Sequence, residues 1–254
     1  MRGSVGRILP GAITVALGLA AWQEVSRFFL PIYFPGPVVL VERMIDIYSR
    51  PESYVVVGDT IVRIIEGFTI SMLNGIAIGL VMGLRRDIEI FFDSWIMVLL
   101  TFPAECWAFL TVLWFGLSAL APIMTIVLIV LPFVIMNIWQ GTKAIERQLI
   151  DMGHVYKANR SLMLRKVLIP QLMPYVFSSL RIALSLSWKI ALVGEAFGAG
   201  TGVGQKLVYW FQDTRVDMIL AWGVSFMIVM VLIDLLVFRV WARRTFAWRP
   251  QFAT

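Results

Sequence analysis

The sequence predicts an all-α membrane protein of six transmembrane helices with both termini on the cytoplasmic side, and three observations predict it. First, 59% of its 254 residues are hydrophobic and only 15% are charged, with ten Trp and seventeen Phe, a composition far from that of a soluble domain. Second, six stretches, at about 9–30, 55–84, 90–114, 119–140, 172–197 and 218–238, reach the roughly 20 mostly apolar residues that a helix needs to cross hydrocarbon. Third, with the N-terminus inside, fourteen Lys and Arg fall on the cytoplasmic side, among them Arg2, Arg7, Arg85, Arg86, Lys143, Arg147, Lys157, Arg160, Arg165, Lys166, Arg239, Arg243, Arg244 and Arg249. The other side holds Arg43, Arg50, Lys206 and Arg215, with Arg27 near a helix end. That imbalance is the positive-inside rule.

In chain order, two Arg precede the first apolar run, but no small-residue cleavage site follows it, so the run reads as a retained first helix. Pro35-Gly36-Pro37 then breaks the chain, and Val38, Val41, Ile45 and Tyr48 recur at helical spacing with charges opposite, which predicts a short helix on the outer interface. In the second span Gly67, Gly75, Gly79 and Gly83 lie at four- and eight-residue spacing, a bare face suited to close helix packing. Arg63 and Glu66, three apart near the outer end of that span, are placed to pair with each other. In the third span Pro103 removes a backbone donor and bends the helix just before Glu105. Trp114, Trp139, Trp210 and Trp222 fall near span ends as interface anchors.

Between spans four and five, residues 141–171 carry six basic and two acidic residues, with Ile145, Leu149, Met152, Val155 and Tyr156 spaced as one face of a helix. This predicts a structured cytoplasmic segment, either a docking element or a basic loop that enforces topology. After span five, Gly198 to Gly204 holds four glycines in seven residues and leads to a second interfacial helix over Gln205 to Phe211. No further domain accompanies the spans, so the whole of 1–254 reads as one transmembrane domain.

Several chemistries are excluded. One Cys (Cys106) and one His (His154) supply neither a disulfide nor a cysteine or histidine metal cluster. The net charge of +6 is topological and does not indicate nucleic acid. No phosphate loop ending in Gly-Lys-Ser/Thr is present.

At the cytoplasmic segment the sequence resembles the permeases of ABC importers, specifically the branch that includes nitrate, taurine and aliphatic sulfonate systems. Their signature loop reads Glu-Ala-Ala, three residues, Gly, nine residues, Ile, one residue, Leu-Pro. Aligned on Pro170, this chain has Asp151-Met152-Gly153, then Lys157 where Gly is usual, Val167 for Ile, and Ile169-Pro170. Lys157 departs in size and charge at the bend between two short helices. Further likeness runs through Phe34 to Pro37, Thr60, Arg63, Gly67-Phe68, Pro103 to Trp107, Trp114 to Gly116, Leu180 to Leu184, Trp188, Glu195, Gly198, Gly202 and Gly204.

The resemblance implies a type I importer permease in a bacterial inner membrane, with coupling helices within 143–167. It implies a homodimer of this chain, two ATP-binding cassette subunits that hold ATP and Mg, and a periplasmic or lipid-anchored solute-binding protein. No cofactor is expected in this chain. Asp151, Met152, Gly153, Tyr156, Lys157, Ala158 and Arg160 are the residues implied to touch the ATPase subunit. The solute is expected to be a small organic or inorganic anion of the sulfonate, taurine, nitrate or aromatic acid type.

Ionisable residues within spans usually face a cavity or a partner. Glu105, Cys106, Trp107 and Lys189 are the candidates for the pathway, with Lys189 favouring anions; the alternative is that Glu105 and Lys189 form one buried ion pair joining spans three and five. An ATP-independent secondary transporter or channel is the other functional reading that six spans permit.

Overall fold

In a computed structural model, residues 5–245 are described, and all regular structure among them is helical. Arg2 and Arg249 lie outside the described residues, as do the side chains of Arg7, Arg147, His154, Arg160, Arg239, Arg243 and Arg244. The order is α1 (Val5–Ser26), α2 (Pro37–Tyr48), α3 (Pro51–Leu84), α4 (Arg86–Thr101), α5 (Ala104–Phe115), α6 (Leu120–Lys143), α7 (Arg147–Val155), α8 (Arg160–Met163), a π-helical turn (Leu164–Leu168), α9 (Ile169–Gly198), α10 (Val203–Gln212) and α11 (Val216–Thr245).

Four helical segments are long and apolar enough to cross a bilayer: Pro51–Leu84, Leu120–Lys143, Ser161–Gly198 and Val216–Leu236. The α4–α5 pair makes a fifth if taken as one broken span. The described residues thus give up to five spans where the sequence predicts six; the remaining one, 9–30, coincides with α1, which stops at Ser26.

α6 is the axis of the molecule. α3 lies against one side of it so closely that side chains are forbidden at the contact: a Cβ on Gly67 would stand 2.8 Å from Ile126, on Gly75 2.5 Å from Val134, and on Gly79 2.8 Å from the Ile135 carbonyl oxygen, while Gly83 meets Thr142. The glycine face read from the sequence is therefore a helix seam. α9 packs on another side of α6 through buried Ser179, Ala183, Ser187, Ala191, Gly194 and Gly198, with Gly194 lying over the Pro122 backbone. Small residues let backbones approach and gain dispersion contacts where lipid gives no hydrophobic drive.

The third span departs from the single run expected. It breaks at Phe102–Pro103, and α4 and α5 meet at 98°. Pro103 has no N–H to give to the preceding turn, and Phe102 before it takes an extended conformation, with φ −72° and ψ 129°.

The short helix after Pro35-Gly36-Pro37 is α2. Its protein-facing residues are Leu40, Met44 and Ile47, whereas Val38, Val41 and Ile45 of the predicted stripe are 54–66% exposed. Three of the four stripe residues are thus left for the hydrocarbon boundary, while the fourth, Tyr48, is half-buried and packs against the core beside Met44 and Ile47. An ion pair from Arg43 to the buried Asp217 at 3.0 Å ties α2 to the start of α11, and Asp217 also takes two hydrogen bonds from Arg215.

Candidate functional site

The cytoplasmic segment is built as two short helices around a tight turn. α7 ends at Val155, and Lys157 takes the left-handed conformation, φ 51°. The Ala158 N–H donates back to the Gly153 carbonyl at 2.9 Å. This is the six-to-one bond that closes a helix whose next residue is left-handed. Glycine usually occupies such a position because it lacks a Cβ; here Lys157 holds the same turn, so the departure in sequence leaves the bend in place. Asn159 then caps α8, its Oδ1 accepting from the Leu162 N–H at 2.8 Å. Gly153 is buried, and a Cβ there would run into the Met163 methyl, so a small residue is what lets α7 fold back on α8.

The predicted apolar face divides in two. Ile145 and Leu149 are half-buried towards the body, while Met152, Val155 and Tyr156 are 49%, 79% and 79% exposed at the tip. Asp151 and Lys157 flank them, also exposed. Arg160 opens α8. Through the π turn, α8 runs on as one continuous helical stretch, Ser161–Gly198, into α9. At the base of the segment, Lys143 reaches Glu89 of α4 at 2.5 Å, and Gln171 Oε1 accepts from the Glu146 N–H at 2.9 Å.

Glu105, Cys106 and Trp107 sit in the first turn of α5, just past the break. Glu105 and Cys106 are exposed, and Trp107 is half-buried against Phe102, ring centroids 4.7 Å apart. A carboxylate in a first turn complements the free N–H groups there. Lys189 is exposed on α9, its ammonium 5.7 Å from the centre of the Trp188 ring. Glu105 and Lys189 form no ion pair with each other, so the buried-pair alternative does not describe this chain.

The expected Arg63–Glu66 pair is also absent, because Arg63 points inward and Glu66 outward. Arg63 instead donates to Glu195 Oε1 at 2.6 Å and to the carbonyl and hydroxyl of Thr201 at 2.7 and 2.8 Å. Glu195, with no exposed surface, also accepts from Thr60 Oγ1 and the Gly204 N–H, both at 3.0 Å. Thr60 Oγ1 accepts in turn from the Val203 N–H at 2.9 Å. This knot joins α3, α9 and the loop into α10. Gly202, at φ 119°, lies on the Glu195 carboxylate, where a side chain would collide. Sequence reasoning grouped these residues only by resemblance; the partner of Arg63 lies 132 positions away, beyond any local spacing rule.

Residues 75–246 match the model of the family described as binding-protein-dependent transport system inner membrane component. The chain belongs to that family. Among relatives, the taurine transport system permease protein TauC of Escherichia coli is 25% identical over 94% of this chain and 89% of its own. The bicarbonate transport system permease protein CmpB of Synechococcus elongatus is 28% identical over 64% of this chain and 59% of its own. In fold, the permease is similar to the inward-facing MetNI methionine ABC transporter, with a TM-score of 0.60 at 16% identity over 78% of this chain and 98% of the other. The type I importer permease fold and the inner-membrane setting expected from the sequence hold. The glycines of the α3–α6 seam from Gly75 on, the α7–α8 segment and the Glu195 side of the knot all lie inside the matched region.

Proposed function

We propose that this permease forms, as a homodimer, the path of a small anion through the inner membrane, and that two separate ATP-binding cassette subunits drive it by gripping the α7–α8 tip. An external solute-binding protein delivers the anion. The observation that carries this reading is the exposed tip itself. Met152, Val155 and Tyr156 are presented together by a closed turn, and an apolar helix face held in water gains free energy by seating in a partner's groove. Because the tip continues through α8 into α9, a pull on it reaches the membrane directly. Two relatives carry names of anionic or zwitterionic solutes, taurine and bicarbonate, which supports an anion here.

The test is a native pull-down of the tagged permease from its own membranes, as wild type and as Val155→Asp/Tyr156→Asp. The wild type should bring an ATPase subunit with it, and the double variant should lose that subunit while still running as a monodisperse particle in detergent. Retention of the ATPase by the variant, or its absence from the wild type together with uptake that survives ATP depletion, refutes the proposal.

A further inference from the structure

Between α9 and α11 lies a cavity of about 240 Å³ whose polar lining is Arg181, Ser185 and Lys189 from α9 and Asp234 from α11, with Trp188 and Met230 beside them. Arg181, Ser185 and Lys189 follow one another at four-residue steps, so they stand on one line of the helix about 6 Å apart. Lys189 is nine residues before the end of α9 at Gly198 and Arg181 seventeen before it. Their depths from that end are therefore about 13 and about 25 Å. Asp234 lies eighteen residues into α11, about 27 Å from its start, level with Arg181. The line thus runs from mid-membrane to the cytoplasmic boundary.

None of these three charges forms an ion pair with another charged group among the described residues. The Trp188 ring under Lys189 orients its ammonium without neutralising it. Two cations against one carboxylate leave the groove with an excess positive charge, and at the depth of Lys189 leaving a cation without a counter-ion is costly. The excess is undiluted at Lys189 and offset by Asp234 near Arg181. The volume suits a small ion with a few waters, each taking about 30 Å³, and is below the range of about 300–1,000 Å³ typical of larger ligands.

We infer that this groove binds a small, singly charged anion, held at Lys189, handed past the Ser185 hydroxyl, and released where Asp234 weakens the pull of Arg181. The inference rests on the reading that the chain forms an anion path, and it adds the site. The same chemistry could be met by a solute or by a lipid phosphate, and the experiment separates the two.

In a Cys106→Ser background, Ser185→Cys, and separately Val231→Cys on the facing helix, are reacted with methanethiosulfonate reagents of opposite charge and similar size. The full permease–ATPase complex is used in phosphatidylcholine vesicles. Both thiols should react from water, the anionic reagent gaining about tenfold over the cationic one, the difference that a unit charge some 6 Å away makes between opposite charges at the dielectric of water. Lys189→Gln should bring that ratio close to one, and Asp234→Asn should raise it, with a neutral reagent unchanged. Failure of both thiols to react, or a ratio indifferent to Lys189→Gln, overturns the site. Loss of modification when phosphatidylglycerol is added overturns it in favour of a lipid headgroup. ATP hydrolysis by the same complex is the control: a complex that hydrolyses ATP but shows no charge preference sinks this site and leaves the proposed function standing, whereas loss of the ATPase subunit sinks that function alone.

Discussion

Glu195 offers the sharpest test of how the permease is held together. Replacing it with Gln keeps its volume and removes its charge. With the amide nitrogen in the place of Oε2, Thr60 can be satisfied as an acceptor, but the Gly204 N–H, now 3.0 Å from its oxygen, is left without a partner in a buried site, at about 1–3 kcal/mol. Arg63, 9% exposed, keeps its two bonds to Thr201 and loses the one counter-charge it has among the described residues. Breaking a buried pair from one side costs about 3–5 kcal/mol, and the surviving Thr201 bonds place this change near the lower end, about 3 kcal/mol. For a chain of this length each kcal/mol moves the midpoint by about 2–4 °C, so Glu195→Gln should melt about 6–12 °C below wild type. The assay is thermal unfolding of the purified permease in detergent, followed by Trp fluorescence and by loss of the monodisperse peak. A double-mutant cycle sharpens it: Glu195→Met alone should be the least stable, and Arg63→Met/Glu195→Met should recover much of the loss because no charge is then stranded. A midpoint for Glu195→Gln within about 2 °C of wild type, less than 1 kcal/mol on the same scale, would refute the argument. So would a double variant less stable than Glu195→Met.

Two further outcomes follow from packing and charge. Gly79→Ala sets a Cβ 2.8 Å from the Ile135 backbone oxygen and should destabilise by about 1–3 kcal/mol, whereas Gly58→Ala on the same helix meets nothing within 4 Å and should be neutral or stabilise by up to about 1 kcal/mol; the two melting curves side by side check this. At the outer end, Asp217 is 1% exposed between two arginines, so Asp217→Asn should cost about 2–3 kcal/mol, while Arg43→Ala, 40% exposed and with Arg215 still on the carboxylate, should cost at most about 1 kcal/mol.

Legibility in the sequence followed the range of the interaction. Local periodicity is a short-range signal, and it located α2, α10, the α3 glycine face and the bend at Pro103. It could not measure the bend, because a missing donor says that the ladder breaks and not where the next helix packs. Nor could spacing find the knot at Glu195: Arg63 and Glu66 are neighbours on a helix surface, but Arg63 is drawn inward by a carboxylate from α9 and a loop carbonyl. The α7–α8 turn shows the reverse case. Lys157 looked like a break with the family's pattern, yet the Ala158 to Gly153 bond and the Asn159 cap hold the backbone in the left-handed turn, and the strain of about 1–2 kcal/mol for a side chain there is carried by its neighbours. The line of Arg181, Ser185 and Lys189 on α9 is a local spacing and legible as such; that Asp234 joins it is not, because Asp234 comes from another helix.

These contacts also decide how a pull at the tip would travel. α9 is seated on α6 by small residues, α6 on α3 by glycines, and the Glu195 knot fastens α3 to α9 at the outer end. Three helices packed at backbone distance have no room to slide by fractions of a turn, so they should move as one body. The weak places lie elsewhere, at the 98° break before α5 and at the π turn, where the Ile169 N–H bonds to the Leu164 carbonyl and Pro170 follows with no N–H to give. Spin labels in the Cys106→Ser background discriminate the two. If the block is rigid, the distance within one chain from Glu66→Cys on α3 to Ser185→Cys on α9 should stay constant when nucleotide is added to the complex, while the distance between the Leu162→Cys sites of two copies changes by several ångströms. A large change between Glu66→Cys and Ser185→Cys would refute the rigid block, whereas a change from Glu66→Cys to Leu162→Cys with none to Ser185→Cys would put the hinge at Leu164–Leu168.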